Sequence, residues 1–106
     1  MDLLEFKPTP RKTHGPTDEE GKDITHEVFL EGEQIGVIER ERKIYMSKFG
    51  TDRAFTEYKF ISELDENGKP VMYFDGYEDS RLNGMKKGIE DRIKYPEKMR
   101  KYHEVY

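Results

Sequence analysis

Residues 54–64 alternate in character along their length. Thr56, Tyr58, Phe60, Ser62 and Leu64 fall on one side of an extended chain, and Glu57, Lys59 and Glu63 fall on the other. A period of two is the signature of a strand with one face on a core and one face in water. The next four residues, Asp65-Glu66-Asn67-Gly68, hold the Asn-Gly pair favoured in tight hairpin turns, where both central residues take positive φ. The run Lys69-Pro70-Val71-Met72-Tyr73-Phe74-Asp75 is then predicted to return as a partner strand over 69–75. Pro70 has no N–H, so it belongs at that strand's start or on an edge.

Upstream, Thr25, Val28, Phe29 and Leu30 give residues 24–30 strand character. Glu31-Gly32-Glu33 makes a turn, and 34–40 returns as a second strand with Gly36 marking a bulge. After Glu41-Arg42, residues 43–49 form a third predicted strand, which Gly50-Thr51-Asp52-Arg53 ends. Connections this short place consecutive strands side by side.

Beyond residue 79 the period changes. Leu82, Met85, Ile89 and Ile93 recur at helical spacing and form one apolar stripe. Asp79 or Ser80 supplies a cap. Gly84 and Gly88 lie one turn apart beside the stripe, where each costs about 1 kcal/mol relative to alanine. Close approach of the helix backbone to the sheet would offset that cost. Tyr95-Pro96 ends the helix, because a residue before proline disfavours helical geometry. Pro96 suits the first position of a second short helix over 97–102. The predicted fold is therefore α+β. It is an antiparallel β-meander of four to five strands, packed on one face by a C-terminal α-helix, with a short second helix after it.

Residues 7–23 hold three prolines and two glycines and no aliphatic or aromatic side chain. They can contribute nothing to a core, so 1–23 reads as a flexible segment and 24–106 as one domain. Leu3, Leu4 and Phe6 form a short apolar hook ahead of this tether. Such a hook either joins the domain's own sheet edge or inserts into a partner's groove. With 33% hydrophobic and 40% charged residues in a chain of 106, the core is small. There is no cysteine, which excludes disulfides and thiolate chemistry and favours a reducing, cytoplasmic setting. The N-terminal residues lack the basic start and long apolar run of a signal peptide.

Specific tests for chemistry fail. His14, His26 and His103 are not spaced to bring two imidazoles together on one face. Counted from Asp65, a calcium loop would need glycine at its sixth position and glutamate at its twelfth, where the chain has Pro70 and Gly76. Asp75, Glu78 and Asp79 are read as residues of a helix N-terminus. Gly32 and Gly36 lack the Gly-Lys-Ser/Thr continuation of a phosphate loop. No catalytic residue, metal site or cofactor is expected, and the chain is read as a non-enzyme.

Two surfaces remain. Residues 1–79 hold 11 Lys and Arg against 19 Asp and Glu, a net −8; residues 80–106 hold 8 against 4, a net +4. The basic end carries Lys86, Lys87, Arg92, Lys94, Lys98, Arg100 and Lys101, interleaved with Tyr95, Tyr102 and Tyr106. Of these, Lys86, Lys87, Lys94, Lys98, Arg100 and Lys101 are the candidate nucleic-acid contacts. Strands followed by a helix with paired lysines resemble, in topology alone, the double-stranded-RNA-binding domain. That domain's first helix has no counterpart in 1–23. The second surface is the sheet face left uncovered by the helix, with Tyr45, Phe55, Ile61 and Tyr73 as its aromatic and aliphatic candidates.

The function this pattern favours is docking to another protein, as an inhibitor, adaptor or regulator, through Leu3, Leu4, Phe6, Tyr45 and Tyr73. A small accessory protein of a virus or mobile element fits the profile. Partners in view are a protein, a second copy of the chain, and nucleic acid as the alternative. No membrane and no small-molecule substrate is expected.

Overall fold

In a computed structural model, the residues described are 3–9, 21–46, 48, 50 and 52–101. They form a five-stranded antiparallel sheet in sequence order, β1 (Leu4–Pro8), β2 (Gly21–Leu30), β3 (Glu33–Met46), β4 (Asp52–Ser62) and β5 (Glu78–Asp79). Helix α1 (Leu82–Lys94) and the short α2 (Pro96–Arg100) follow. The α+β meander with a C-terminal helix and a second short helix is as the periodicities predict.

The core lies between the sheet and α1. Val28, Ile38 and Phe60 come from the three central strands, Met85 and Ile89 from the helix, and Phe74 from the connection between β4 and β5; all six are fully buried. Ile38 and Phe60 lie directly opposite each other across β3 and β4. Opposed residues share a face, so this pair anchors the covered side of the sheet.

Several elements differ from expectation. The run 34–40 and residues 43–46 of the run 43–49 belong to one strand, β3, which passes through Glu41 and Arg42 without a break; 48 lies in a turn, and 47 and 49 lie outside the described residues. Polar residues at its middle suggest a turn, but there the strand has left the core and needs no apolar side chain. The predicted strand 69–75 does not form. Its return arm makes one bridge, Leu64 opposite Pro70, and then leaves the ladder. Pro70 cannot donate, and Phe74 turns inward to stack on Phe60, with ring centroids 4.8 Å apart. The fifth strand is instead Glu78–Asp79.

The edge of β4 is nevertheless satisfied. Phe60 N–H donates to the Tyr77 carbonyl (2.8 Å) and Gly76 N–H donates to the Phe60 carbonyl (2.9 Å). Ser62 N–H donates to the Asp75 carboxylate (2.8 Å), and Met72 N–H donates to Ser62 Oγ (2.9 Å). The main chain of Gly76 and Tyr77 and the side chains of Asp75 and Ser62 thus do for this edge what a longer strand would have done.

The turn chemistry is also exchanged. Positive φ at two successive residues occurs at Glu31 (52°) and Gly32 (85°), between β2 and β3. The Asp65–Gly68 turn has positive φ at Gly68 (77°) and not at Asn67. Asp65 organises it, its Oδ1 accepting the N–H groups of Asn67 (2.8 Å) and Lys69 (2.9 Å).

The N-terminal residues divide. Leu4–Pro8 is an edge strand paired with β2, and Gly21–Asp23 opens β2 itself, while 10–20 lie outside the described residues. At the helix start, the N-cap position is Arg81, with no side-chain cap. Asp79 acts one step earlier, accepting the Arg81 N–H (2.9 Å).

Gly36 and Gly88 are close-approach positions. A Cβ on Gly36 would sit 2.4 Å from the Ile61 carbonyl oxygen and 2.6 Å from the Phe60 ring. The bulge predicted there is present, as the β2–β3 register slips between Val28 and Phe29 and leaves Ile35 unpaired and buried. A Cβ on Gly88 would sit 2.0 Å from Tyr77 Oη. The helix glycines are therefore met by side chains from the β5 region, Tyr77 at Gly88 and Asp79 at Gly84.

This packing sets the expected cost of three substitutions. Phe74→Ala should lower the unfolding free energy by about 3–5 kcal/mol, because the ring fills the core. Val71→Ala, at a residue 49% exposed, should stay within about 0.5 kcal/mol. Equal effects in urea denaturation would contradict the inward placement of Phe74. Gly88→Ala should destabilise by about 1–3 kcal/mol despite alanine's better helix propensity, since the methyl group overlaps the Tyr77 ring. A rise in the urea midpoint would contradict it.

Candidate functional site

Alternation along the strands defines the face opposite α1. It carries Lys22, Glu39, Glu41, Lys43, Glu57, Lys59 and Glu78, opposed across β2 to β5. Ion pairs join neighbouring strands at Lys22–Glu41 (3.6 Å), Lys43–Glu57 (3.3 Å) and Lys59–Glu78 (4.0 Å), and Lys43 also pairs with Glu41 on its own strand (3.5 Å), so that it bridges the directly opposed Glu41 and Glu57. Lys43 is held above the usual lysine range, first by its hydrogen bond to Glu57 and then by the negative charges of Glu57 and Glu41. A shallow polar depression lies among Glu39, Glu41, Lys43, Glu57, Tyr58, Lys59 and Glu78. Exposed pairs like these add little to stability, but they fix a charge pattern on the surface.

This face ends in an aromatic pair. Among the described residues, 43–46 and 52–55 pair only with each other, because β2 begins at Gly21, opposite Arg42. On this two-stranded ribbon Tyr45 and Phe55 meet edge to face, with centroids 5.4 Å apart and planes at 65°. Tyr45 is 51% exposed and Phe55 48%. Neither belongs to the core cluster.

The other sequence-derived candidates are not gathered beside this pair. Leu3 is exposed, and its carbonyl accepts the Glu31 N–H (2.8 Å). Leu4 and Phe6 are half-buried and pack on the chain's own core, the first of the two alternatives for the hook. Tyr73 is occupied at the helix end. Its hydroxyl donates to the Arg92 carbonyl (3.0 Å), and its ring lies 5.0 Å from the Arg100 guanidinium. Burial raises the Tyr73 pKa, with Arg92 and Arg100 opposing the rise.

The basic residues are also engaged. Lys87 pairs with Asp91 (3.3 Å) and Lys94 with Glu90 (2.8 Å), each one helical turn away. The Lys86 ammonium lies 5.7 Å from the Phe6 ring centroid. Arg92 is not on the basic surface. It is buried, with its guanidinium 3.7 Å from the Tyr77 ring centroid and Nη1 donating to the Gly88 carbonyl (3.1 Å). Lys98 and Lys101 are exposed on and just after α2. Glu90 and Asp91, already counted in the net +4, thus engage two of the six candidate contacts, Lys94 and Lys87.

Sequence reading misses the bidentate pair between Arg40 and Asp23, with Nε to Oδ1 and Nη2 to Oδ2 both 3.0 Å. Composition places Asp23 in the tether, and only strand register brings it opposite Arg40. Among the described residues no group of three or more His, Asp or Glu side chains could hold a metal ion. No described helix is long and apolar enough to cross a membrane. No family model matches the chain, and neither a curated protein nor a solved structure does.

His26 is the buried ionisable group of the covered face, with Nδ1 3.0 Å from Thr25 Oγ1. Burial lowers its pKa below 6.5, and the nearby Lys86 charge lowers it further. The unfolded chain therefore binds the proton first as pH falls. The His26 contribution should leave stability unaffected above pH 6.5, reduce it below 6.5, and level off beneath the folded-state pKa. Urea midpoints at about pH 7.5 and about pH 5.5, compared for the wild type and His26→Gln, test this. The wild type should lose more than the variant, and equal losses would contradict it.

Proposed function

We propose that this chain is a small non-enzymatic domain that docks on a partner protein, acting as an inhibitor, adaptor or regulator in a reducing, cytoplasmic setting. The Tyr45–Phe55 pair carries the reading. Two large rings stand half-exposed in mutual contact on a ribbon whose described side chains lie outside the core cluster. Aromatic anchors surrounded by charged groups are the usual energetic centre of a protein interface. Lys43, Arg53 and Glu57 supply such a rim, and the paired charges further along the face would set orientation.

The test is affinity capture from source-cell extract with the immobilised full chain and a Tyr45→Ser/Phe55→Ser double variant. The wild type should retain a specific protein, and the variant should bind it roughly tenfold or more weakly, as expected for lost aromatic anchors. The melting temperature should change little. Equal retention by both forms, or none by the wild type, would overturn the reading.

A further inference from the structure

The outer edge of the sheet at β1 is self-complementary. Among the described residues β1 has a neighbouring strand on one side only. Two bonds fix which of its main-chain groups face that neighbour: Glu31 N–H to the Leu3 carbonyl (2.8 Å) and Thr9 N–H to the Thr25 carbonyl (3.0 Å). Antiparallel ladders alternate, so Leu3, Glu5, Lys7 and Thr9 turn their N–H and C=O groups toward β2. Leu4, Phe6 and Pro8 turn theirs outward. The side chains alternate as well. Leu4 and Phe6 pack on the core, while Glu5 and Lys7 lie on the opposite face, where the Lys7 ammonium sits 4.3 Å from the Phe29 ring centroid.

We propose that two copies of this chain pair antiparallel through β1, with Phe6 opposite Phe6 of the second copy, joining their sheets into one. In this register Phe6 exchanges N–H···O=C bonds with its counterpart, and Leu4 N–H meets the Pro8 carbonyl of the other copy. Glu5 then lies opposite Lys7 of the second copy, and Lys7 opposite its Glu5. These are non-hydrogen-bonded positions, where side chains approach most closely, with about 4.5 Å between Cα atoms. Sliding the pairing by two residues sets Glu5 against Glu5 or Lys7 against Lys7, and like charges directly opposed are destabilising. Charge therefore selects the register centred on Phe6.

Pro8 limits the edge to this short segment, and β5 at the far side of the sheet spans two residues. The pairing uses the β1 edge of both copies, so it closes as a two-fold dimer and not as an open fibre.

Sedimentation analysis of the full chain from micromolar to millimolar concentration tests the proposal. The wild type should dimerise. Glu5→Lys and Lys7→Glu should each self-associate roughly tenfold or more weakly, because every cross-strand pair becomes repulsive. An equimolar mixture of the two variants should recover a dimer, since one chain then presents only lysine, and the other only glutamate, at the two opposed positions. A wild type monomeric throughout would overturn the proposal, as would variants that self-associate like the wild type or a mixture that stays monomeric. Hydrogen exchange on the wild type gives a readout independent of the variants' folding. The Leu4 and Phe6 amides should exchange more slowly at dimer-forming concentrations, and equal rates at low and high concentration would overturn the proposal.

Discussion

The closure of residues 72–77 onto Phe60 is the constraint on which the rest of the structure depends. Both main-chain groups of Phe60 bond to this segment, and its ring is covered by Phe74. The same segment delivers Tyr77 to α1, where the ring fits against Gly88 and under the Arg92 guanidinium. A short core with few aliphatic residues is thus sealed by one connection that contacts both sheet and helix. Tyr77 illustrates how tight this is. Its burial and the neighbouring Asp79 carboxylate both push its pKa upward, so the hydroxyl stays protonated, 3.2 Å from Asp79 Oδ2.

The two faces of the sheet follow different rules. On the covered face, size and shape decide, and Gly36 has no side chain because the Phe60 ring and the Ile61 carbonyl occupy that space. On the open face, Glu and Lys lie opposite each other at Lys22–Glu41, Glu39–Lys59 and Lys59–Glu78, and the directly opposed like pair, Glu41 and Glu57, is bridged by Lys43. A high charge content therefore coexists with an ordered sheet, and the net charge of each half says little about what any one surface presents.

The legible parts of the fold are those where one local period dominates. The β4 alternation from Thr56 to Ser62 and the α1 stripe of Leu82, Met85, Ile89 and Ile93 each signal their own element, and Pro96 separates the two helices. Gly84 and Gly88 signal a close approach to the helix backbone, but the Asp79 and Tyr77 side chains make it and not the body of the sheet. Illegible parts depend on distant partners. Nothing local at Glu41-Arg42 says that a strand continues there, because its support is the facing run of β4. Residues 71–74 look like a strand because they are apolar, whereas Phe74 uses that character to fill the core. For the candidate site, the exposure of Tyr45 is legible and its contact with Phe55 follows from β3–β4 register, but Leu4, Phe6 and Tyr73 are apolar for reasons internal to the fold.

The far end of β3 and β4 has a mechanical consequence. Among the described residues, 43–46 and 52–55 have no third strand, and a lone two-stranded ribbon is only marginally stable in water. With that pairing alone, its opening free energy should fall toward the low end of the range within one protein, below that of the Phe60 region. The molecule is therefore a stiff body carrying a compliant arm. A ligand that grips the arm must also quiet it, so part of the contact free energy is offset by ordering, and binding is weaker than the contact area alone implies.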